Sequence, residues 1–153
     1  METAILLHNV RSTHNVGSIF RTADAAGAQR IFLTGYTPRP TDRFGRTQKN
    51  IAKTALGAEK TVAWEYGLSA PRLIKRLKQE GWRIVGVEQD ARSTDYSLIR
   101  ANRRIVFVFG NEVRGLSKQI LDMCDEIIEI PMRGKKESLN VSVAAGIILF
   151  STR

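Results

Sequence analysis

Residues 130–150 read IPMRGKKESLNVSVAAGIILF, a basic loop with one glycine that runs through Ser138, Leu139 and Asn140 into an apolar segment. A phosphate-binding loop of the G-x-x-x-x-G-K-[ST] type needs an earlier glycine, so that successive backbone N–H groups wrap the phosphates. Here Gly134 and Lys135 have no such glycine before them, and Lys136 stands where the hydroxyl should be. This is no ATP loop. Beyond it Val141, Val143, Ala144, Ile147 and Ile148 recur at helical spacing, so the loop opens a helix.

Upstream, apolar runs of strand length recur as AILLHN, RIFLTG, TVAWEY, RIVGVE, RIVFVFG and EIIEIPM. Helical patterns lie between most of them. Val16, Ile19, Phe20 and Ala23 make one helix face. Ser69 caps a helix carrying Leu73, Ile74 and Leu77, with Pro71 in its first turn and Gly81 past its end. Leu116, Ile120 and Leu121 mark another. Strands alternating with helices predict an α/β fold, a parallel sheet flanked by helices on both faces. With no repeat and no linker, residues 1–153 read as a single domain. The stretch GYTPRPTDRFGRTQ, residues 35–48, is the least structured: either a long surface connection or a mobile RNA-contacting loop.

The single cysteine, Cys124, excludes an internal disulfide and reads as a half-buried structural thiol. METAILLHNV lacks the charged and apolar blocks of a signal peptide, and no run approaches the ~18 apolar residues of a membrane span. A cytoplasmic protein is expected. Twenty-four Lys and Arg against fifteen Asp and Glu give a net charge of +9, which favours polyanionic partners and above all nucleic acid. The basic residues cluster at expected loops: Arg39, Arg43 and Arg46, then Lys49 and Lys53, then Arg133, Lys135 and Lys136.

The dinucleotide fingerprint G-x-G-x-x-G is absent. Two further glycine loops end apolar strands, at Gly86 to Gln89 and at Gly110. With the 130–140 loop they are either plain turns or the walls of one crevice at the carboxyl ends of the strands. Such a crevice offers backbone N–H and C=O groups more than charge, which suits an uncharged ring such as adenine. The stretch HNVRSTHNVGSIFRTADAAGA, residues 8–28, is a strand end, a polar turn capped by Asn15 and a helix showing Arg21 on its open side. Its two histidines have no third ligand nearby, so no metal site is expected.

Together NVRSTHNVGSIFRTADAAG, FVFGNEVRGLS and IPMRGKKESLNVSVAAG resemble, in order, the three motifs of the SpoU-type RNA ribose 2′-O-methyltransferases of the SPOUT superfamily. The resemblance spans essentially the whole chain. It implies a C-terminal deep trefoil knot that binds S-adenosyl-L-methionine, which no strand pattern suggests, since knots are rare among folds. Carried over by motif, the cofactor contacts are Val87, Glu88, Gly110, Ile130, Met132, Ser138 and Leu139. The implied reaction centre is Asn15, Arg21, Glu112, Ser138 and Asn140.

The implied activity is S-adenosylmethionine-dependent methylation of an RNA ribose 2′-hydroxyl, on tRNA more than on rRNA, by a homodimer that is not membrane-bound. The chain ends thirteen residues beyond Asn140, which implies a short last helix and a reduced dimer contact. Because a guanidinium is effectively always protonated, Arg21 reads as a fork that fixes a phosphate rather than as a base. Glu112 would then orient Arg21 or Asn15. The alternative is a non-catalytic RNA-binding protein of the same fold.

Overall fold

The computed structural model describes residues 1–100 and 103–152. Six of its strands follow the apolar runs: β1 (Glu2–His8), β2 (Arg30–Thr34), β3 (Ala63–Gly67), β4 (Arg83–Val87), β6 (Arg104–Phe109) and β7 (Glu126–Glu129). A two-residue strand, β5 (Thr94–Asp95), lies where the sequence carries no apolar run at all. All pair in parallel, in the order β3-β2-β1-β6-β4-β7-β5.

Alternate side chains of each strand enter opposite layers, the period-2 rule of a pleated chain. Ile5, Leu7, Ile31, Leu33, Phe107 and Phe109 face one core. Their neighbours Ala4, Leu6, Phe32, Val106 and Val108 face the other. The first layer is closed by α1 (Thr13–Ala26), α2 (Lys49–Ala55), α3 (Ala58–Thr61) and α6 (Val141–Ser151). The second is closed by α4 (Ala70–Gln79) and α5 (Lys118–Met123). A sheet buried on both faces explains why its strands read as continuous apolar runs.

Local sequence signals account for most helix ends. Ser69 and Ser117 cap α4 and α5 as acceptors for backbone N–H groups three residues on. Two expectations change. The first helix is capped by Ser12, which accepts from Asn15 N, so Asn15 sits inside the first turn instead of capping it. Ser12 has extended backbone just before the first turn, so its hydroxyl reaches the N–H three residues on, which has no partner within the helix. Lys49 and Lys53 belong to α2 and not to a loop. Only Ile51 and Ala55 of α2 are buried, too few to show a period. Cys124 is half-buried as expected, and burial pushes its thiol up to about 11.

Because every strand runs the same way, His8, Thr34, Val87, Phe109 and Glu129 end at one edge. β2 and β3 lie on one side of β1, and β6, β4, β7 and β5 on the other. β6 lies between β1 and β4, and β7 between β4 and β5, so each returns inside strands formed earlier in the chain.

Candidate functional site

A cleft of about 180 Å³ opens at the carboxyl edge, and three strand-end loops wall it. Val87 ends β4, and Glu88 and Gln89 follow it; Gly110 to Val113 and Gly115 follow β6; Ile130, Met132, Ser138 and Leu139 follow β7. All seven residues expected to touch a cofactor therefore lie in one cleft, and the plain-turn alternative for the three loops falls away. Val141 and Ala144 of α6 close its floor.

The walls are held by hydrogen bonds that the loops make with one another. Glu88 accepts from Gln89 N at 3.1 Å and from Leu116 N at 2.9 Å, so it braces the β6 loop as well as lining the cleft. Gln89 Nε2 donates to the Glu137 carbonyl at 2.7 Å and clasps the 130–140 loop. Gly110 must be glycine: a Cβ there would meet the Gly115 carbonyl carbon at 2.5 Å and Leu116 N at 2.7 Å. The loop folds back on itself through the Asn111–Gly115 bridge. Backbone cannot yield to a methyl group as a flexible side chain would.

Asn140 caps α6, accepting from Ser142 N at 2.8 Å, and its amide donates to Asn15 Oδ1 at 3.2 Å. Residues 125 positions apart thereby meet, and Asn15 is only 7% exposed. Glu112 accepts from Arg11 N at 2.9 Å and Ser12 N at 3.0 Å. The carboxylate thus orients the turn that starts α1, and through it Asn15, while its bonds go to backbone and not to the Arg21 side chain. A carboxylate on two N–H groups at a helix start is also well placed against the helix dipole.

Arg21 lies elsewhere. It is exposed on α1 and lines a second cleft with His14, Ser18, Thr22, Lys53, Thr54 and Phe150. Of the five residues expected at the reaction centre, the chain thus brings Asn15 to Asn140, places Ser138 and Glu112 on the cleft wall, and leaves Arg21 apart.

Asn111 and Glu129 are among the lining residues that sequence reasoning did not single out. Asn111 accepts from Val113 N and Arg114 N and donates to Asn9 O and the Tyr36 hydroxyl, tying the β6, β1 and β2 loops together. Its signal is an Asn directly after a strand-end glycine, a turn former. Glu129 accepts from the Ser93 hydroxyl at 2.7 Å. Among the described residues that line the cleft, Glu88, Glu112 and Glu129 are acidic and none is Lys, Arg or His. Among the described residues no group of His, Cys, Asp and Glu could hold a metal ion.

Known proteins share this architecture. The chain is 36% identical over 148 residues to the 23S rRNA (guanosine-2′-O-)-methyltransferase RlmB of Ralstonia nicotianae, covering 95% of this chain and 56% of that one. An AdoMet-bound rRNA methyltransferase from Sinorhizobium meliloti superposes with a TM-score of 0.89 at 31% identity, over 98% of this chain and 55% of the other. The A. aeolicus TrmH/SpoU tRNA modifying enzyme gives a TM-score of 0.85 at 29% identity, over 98% and 73%. The chain spans little more than half the length of the curated relatives it matches. With residues 2–150 matching the SpoU rRNA Methylase family, and the sheet order, cleft and loops just described, the chain belongs to that family of SPOUT-type proteins.

Proposed function

We propose that the chain is an RNA methyltransferase that binds S-adenosylmethionine in the carboxyl-edge cleft and modifies a ribose 2′-hydroxyl. The observation that carries this reading is the chemistry of the lining: backbone groups and apolar side chains fit for an adenosine, with three carboxylates and no cationic side chain. Such a wall repels a polyphosphate and favours a sulfonium cation. Similarity to an AdoMet-bound neighbour supports the same ligand, and similarity to a guanosine-2′-O-methyltransferase supports the ribose oxygen. Val87, Ile130, Met132 and Leu139 would hold the adenosine, with Gly110 and Ser138 offering polar groups to it. In this reading the 130–140 loop and α6 form the threaded part of a knot.

When bound, S-adenosylmethionine supplies a methyl group on a positively charged sulfur. The chain's own work is alignment, exclusion of water and control of the hydroxyl proton. The Asn15–Asn140 pair sets the ribose at the mouth of the cleft. Arg21, a planar fork, grips the neighbouring phosphate and eases ionisation of the 2′-hydroxyl, whose proton leaves to that phosphate or to water. That Arg21 lines a different cleft from the loops supports a role in the site of a second copy. α6 supports a homodimer: Val143 and Phe150 are exposed on a helix whose Ala145, Ile148 and Leu149 are buried, so it carries apolar side chains both inward and outward.

The RNA is tRNA in this reading, in the cytoplasm; no described helix is long and apolar enough to cross a membrane. Calorimetry of the purified protein should show binding of S-adenosylmethionine and its demethylated product without RNA, and none of ATP. Transfer of a labelled methyl group to RNA, mapped to its nucleotide, then identifies the substrate. ATP binding with neither cofactor form bound would overturn the reading.

A further inference from the structure

Residues 41–47 form a small closed turn at the tip of the long connection that leaves the site's own edge of the sheet after β2. A Thr41–Thr47 bridge makes its neck. Asp42 nucleates it: one carboxylate oxygen accepts from Phe44 N at 2.8 Å and Arg46 N at 3.0 Å, and the other from Arg46 Nε at 2.7 Å. Backbone bonds from Asp42 N to the Arg46 carbonyl and from Gly45 N to the Asp42 carbonyl complete it. What this turn holds out is Phe44, 67% exposed. The Arg43 and Arg46 guanidinia both lie over its ring, at 4.8 and 5.1 Å from the centroid.

An aromatic ring this exposed contributes little to folding, yet four of its turn's bonds fix the backbone that carries it. Arg46 is anchored by Asp42. Arg43 makes no ion pair among the described residues and can swing away. We propose that this turn is a stacking platform for an unpaired RNA base: Phe44 takes the base on the face that Arg43 vacates, and Arg43 moves to the adjoining phosphate. Aromatic faces and guanidinium planes are the surfaces on which splayed bases stack. Within a duplex each base is already stacked between its neighbours, so the platform selects loops and single strands. The proposal rests on the reading of the chain as an RNA-modifying protein and adds a contact that reading does not assign.

The test compares binding of a single-stranded RNA of roughly 12 nucleotides with a duplex of the same length, within the usual span of single-strand sites. Phe44→Ala should weaken single-strand binding by about five- to 150-fold, the range for loss of one stacked base, with duplex binding and the salt slope unchanged. Phe44→Trp should restore it. Arg43→Ala should lower the salt slope by about one phosphate's worth, 0.7 log units per log unit of salt. Equal affinities of wild type and Phe44→Ala for the single strand overturn the platform alone. If wild type binds neither RNA at low salt, the RNA reading falls and the platform with it. Unchanged S-adenosylmethionine binding in the variants shows that the cleft is intact.

Discussion

At the scale of single residues, the chain separates groups that hold the site from groups that face outward, and Arg21 is the clearest of the second kind. Its α1 neighbours Val16, Ile19, Phe20 and Ala23 are fully buried while it is exposed. Arg21→Ala should therefore leave the fold and cofactor affinity nearly unchanged, and lower methyl transfer by roughly 10²–10⁴-fold, the range for one electrostatic or acid–base group. Arg21→Lys keeps charge but loses the fork. A phosphate anchor stays impaired in Lys at every pH, whereas a proton acceptor recovers as pH rises; single-turnover rates across pH separate the two. His8, at the end of β1, is of the first kind. Asn9 Oδ1 accepts from Tyr36 N, which turns its amide nitrogen toward His8 Nε2 at 3.3 Å, and His8 Nδ1 meets Thr34 Oγ1 at 2.9 Å. Burial holds the His8 pKa below the ordinary 6.5. The unfolded chain then takes up a proton at higher pH than the folded one, so the contribution of His8 to stability is fully present above 6.5 and is lost as pH falls below it. Melting temperature should drop between pH about 7.5 and 5.5 in wild type and drop less in His8→Gln. Equal drops would show that His8 is not the group responsible.

At the scale of elements, the parts legible in the sequence are those whose signal is local and repeated. β1, β2, β4 and β6 are buried on both faces, and each spells out its burial in a nearly continuous apolar run. α4 announces itself by Ser69, Pro71 and an apolar stripe. β5 and α2 do not, because their places are set by neighbours: Thr94 and Asp95 pair with Ile128 and Glu129, and α2 is held through its crossing with α1. The site shows the same division. Glycine loops after strands mark the cleft, but the Asn15–Asn140 bond joins opposite ends of the chain and only the family resemblance points to it. Nor does any local pattern tell that Arg21 opens into another cleft. The α1–α2 crossing has its own test. A Cβ on Gly17 would run into Thr54 Oγ1 and the Ile51 carbonyl. Thr54 is itself bonded to the His14 carbonyl at 3.0 Å, so the helices are joined where they touch. Gly17→Ala should destabilise by about 1–3 kcal/mol, the usual cost of overpacking, read as a shift in the denaturation midpoint. Because α1 carries both Asn15 and Arg21, its displacement should also slow transfer. A variant as stable as wild type would mean that the helices separate without cost.

At the scale of the whole molecule, the proposed reading makes the cleft and Arg21, which line different clefts, two half-sites on one chain, and a twofold dimer is the arrangement that would bring each to the other's copy. The exposed apolar residues Val143 and Phe150 of α6, with Leu56 after α2 beside the Arg21 cleft, are the surface that such a dimer would bury. The division makes a prediction that neither a monomer nor a self-sufficient subunit shares. In that reading Asn140→Ala disables the chain's own half-site, by removing the bond to Asn15 and the α6 cap. Arg21→Ala disables only what the chain lends to its partner. Each variant alone should be nearly inactive, since every site in a pure dimer lacks one group. Mixed in equal amounts and allowed to exchange subunits, half the dimers become hybrids. In a hybrid, the chain carrying Arg21→Ala keeps a sound cleft and receives an intact arginine from the other subunit; the second site lacks both groups. The mixture should regain about a quarter of wild-type activity, from one working site in half of the dimers. If Arg21 acts within its own chain, every site in the mixture still lacks a group and nothing is regained. Sedimentation of the same mixture, with one variant carrying a mass tag, verifies that hybrids have formed, so a flat result in their presence would place Arg21 in cis.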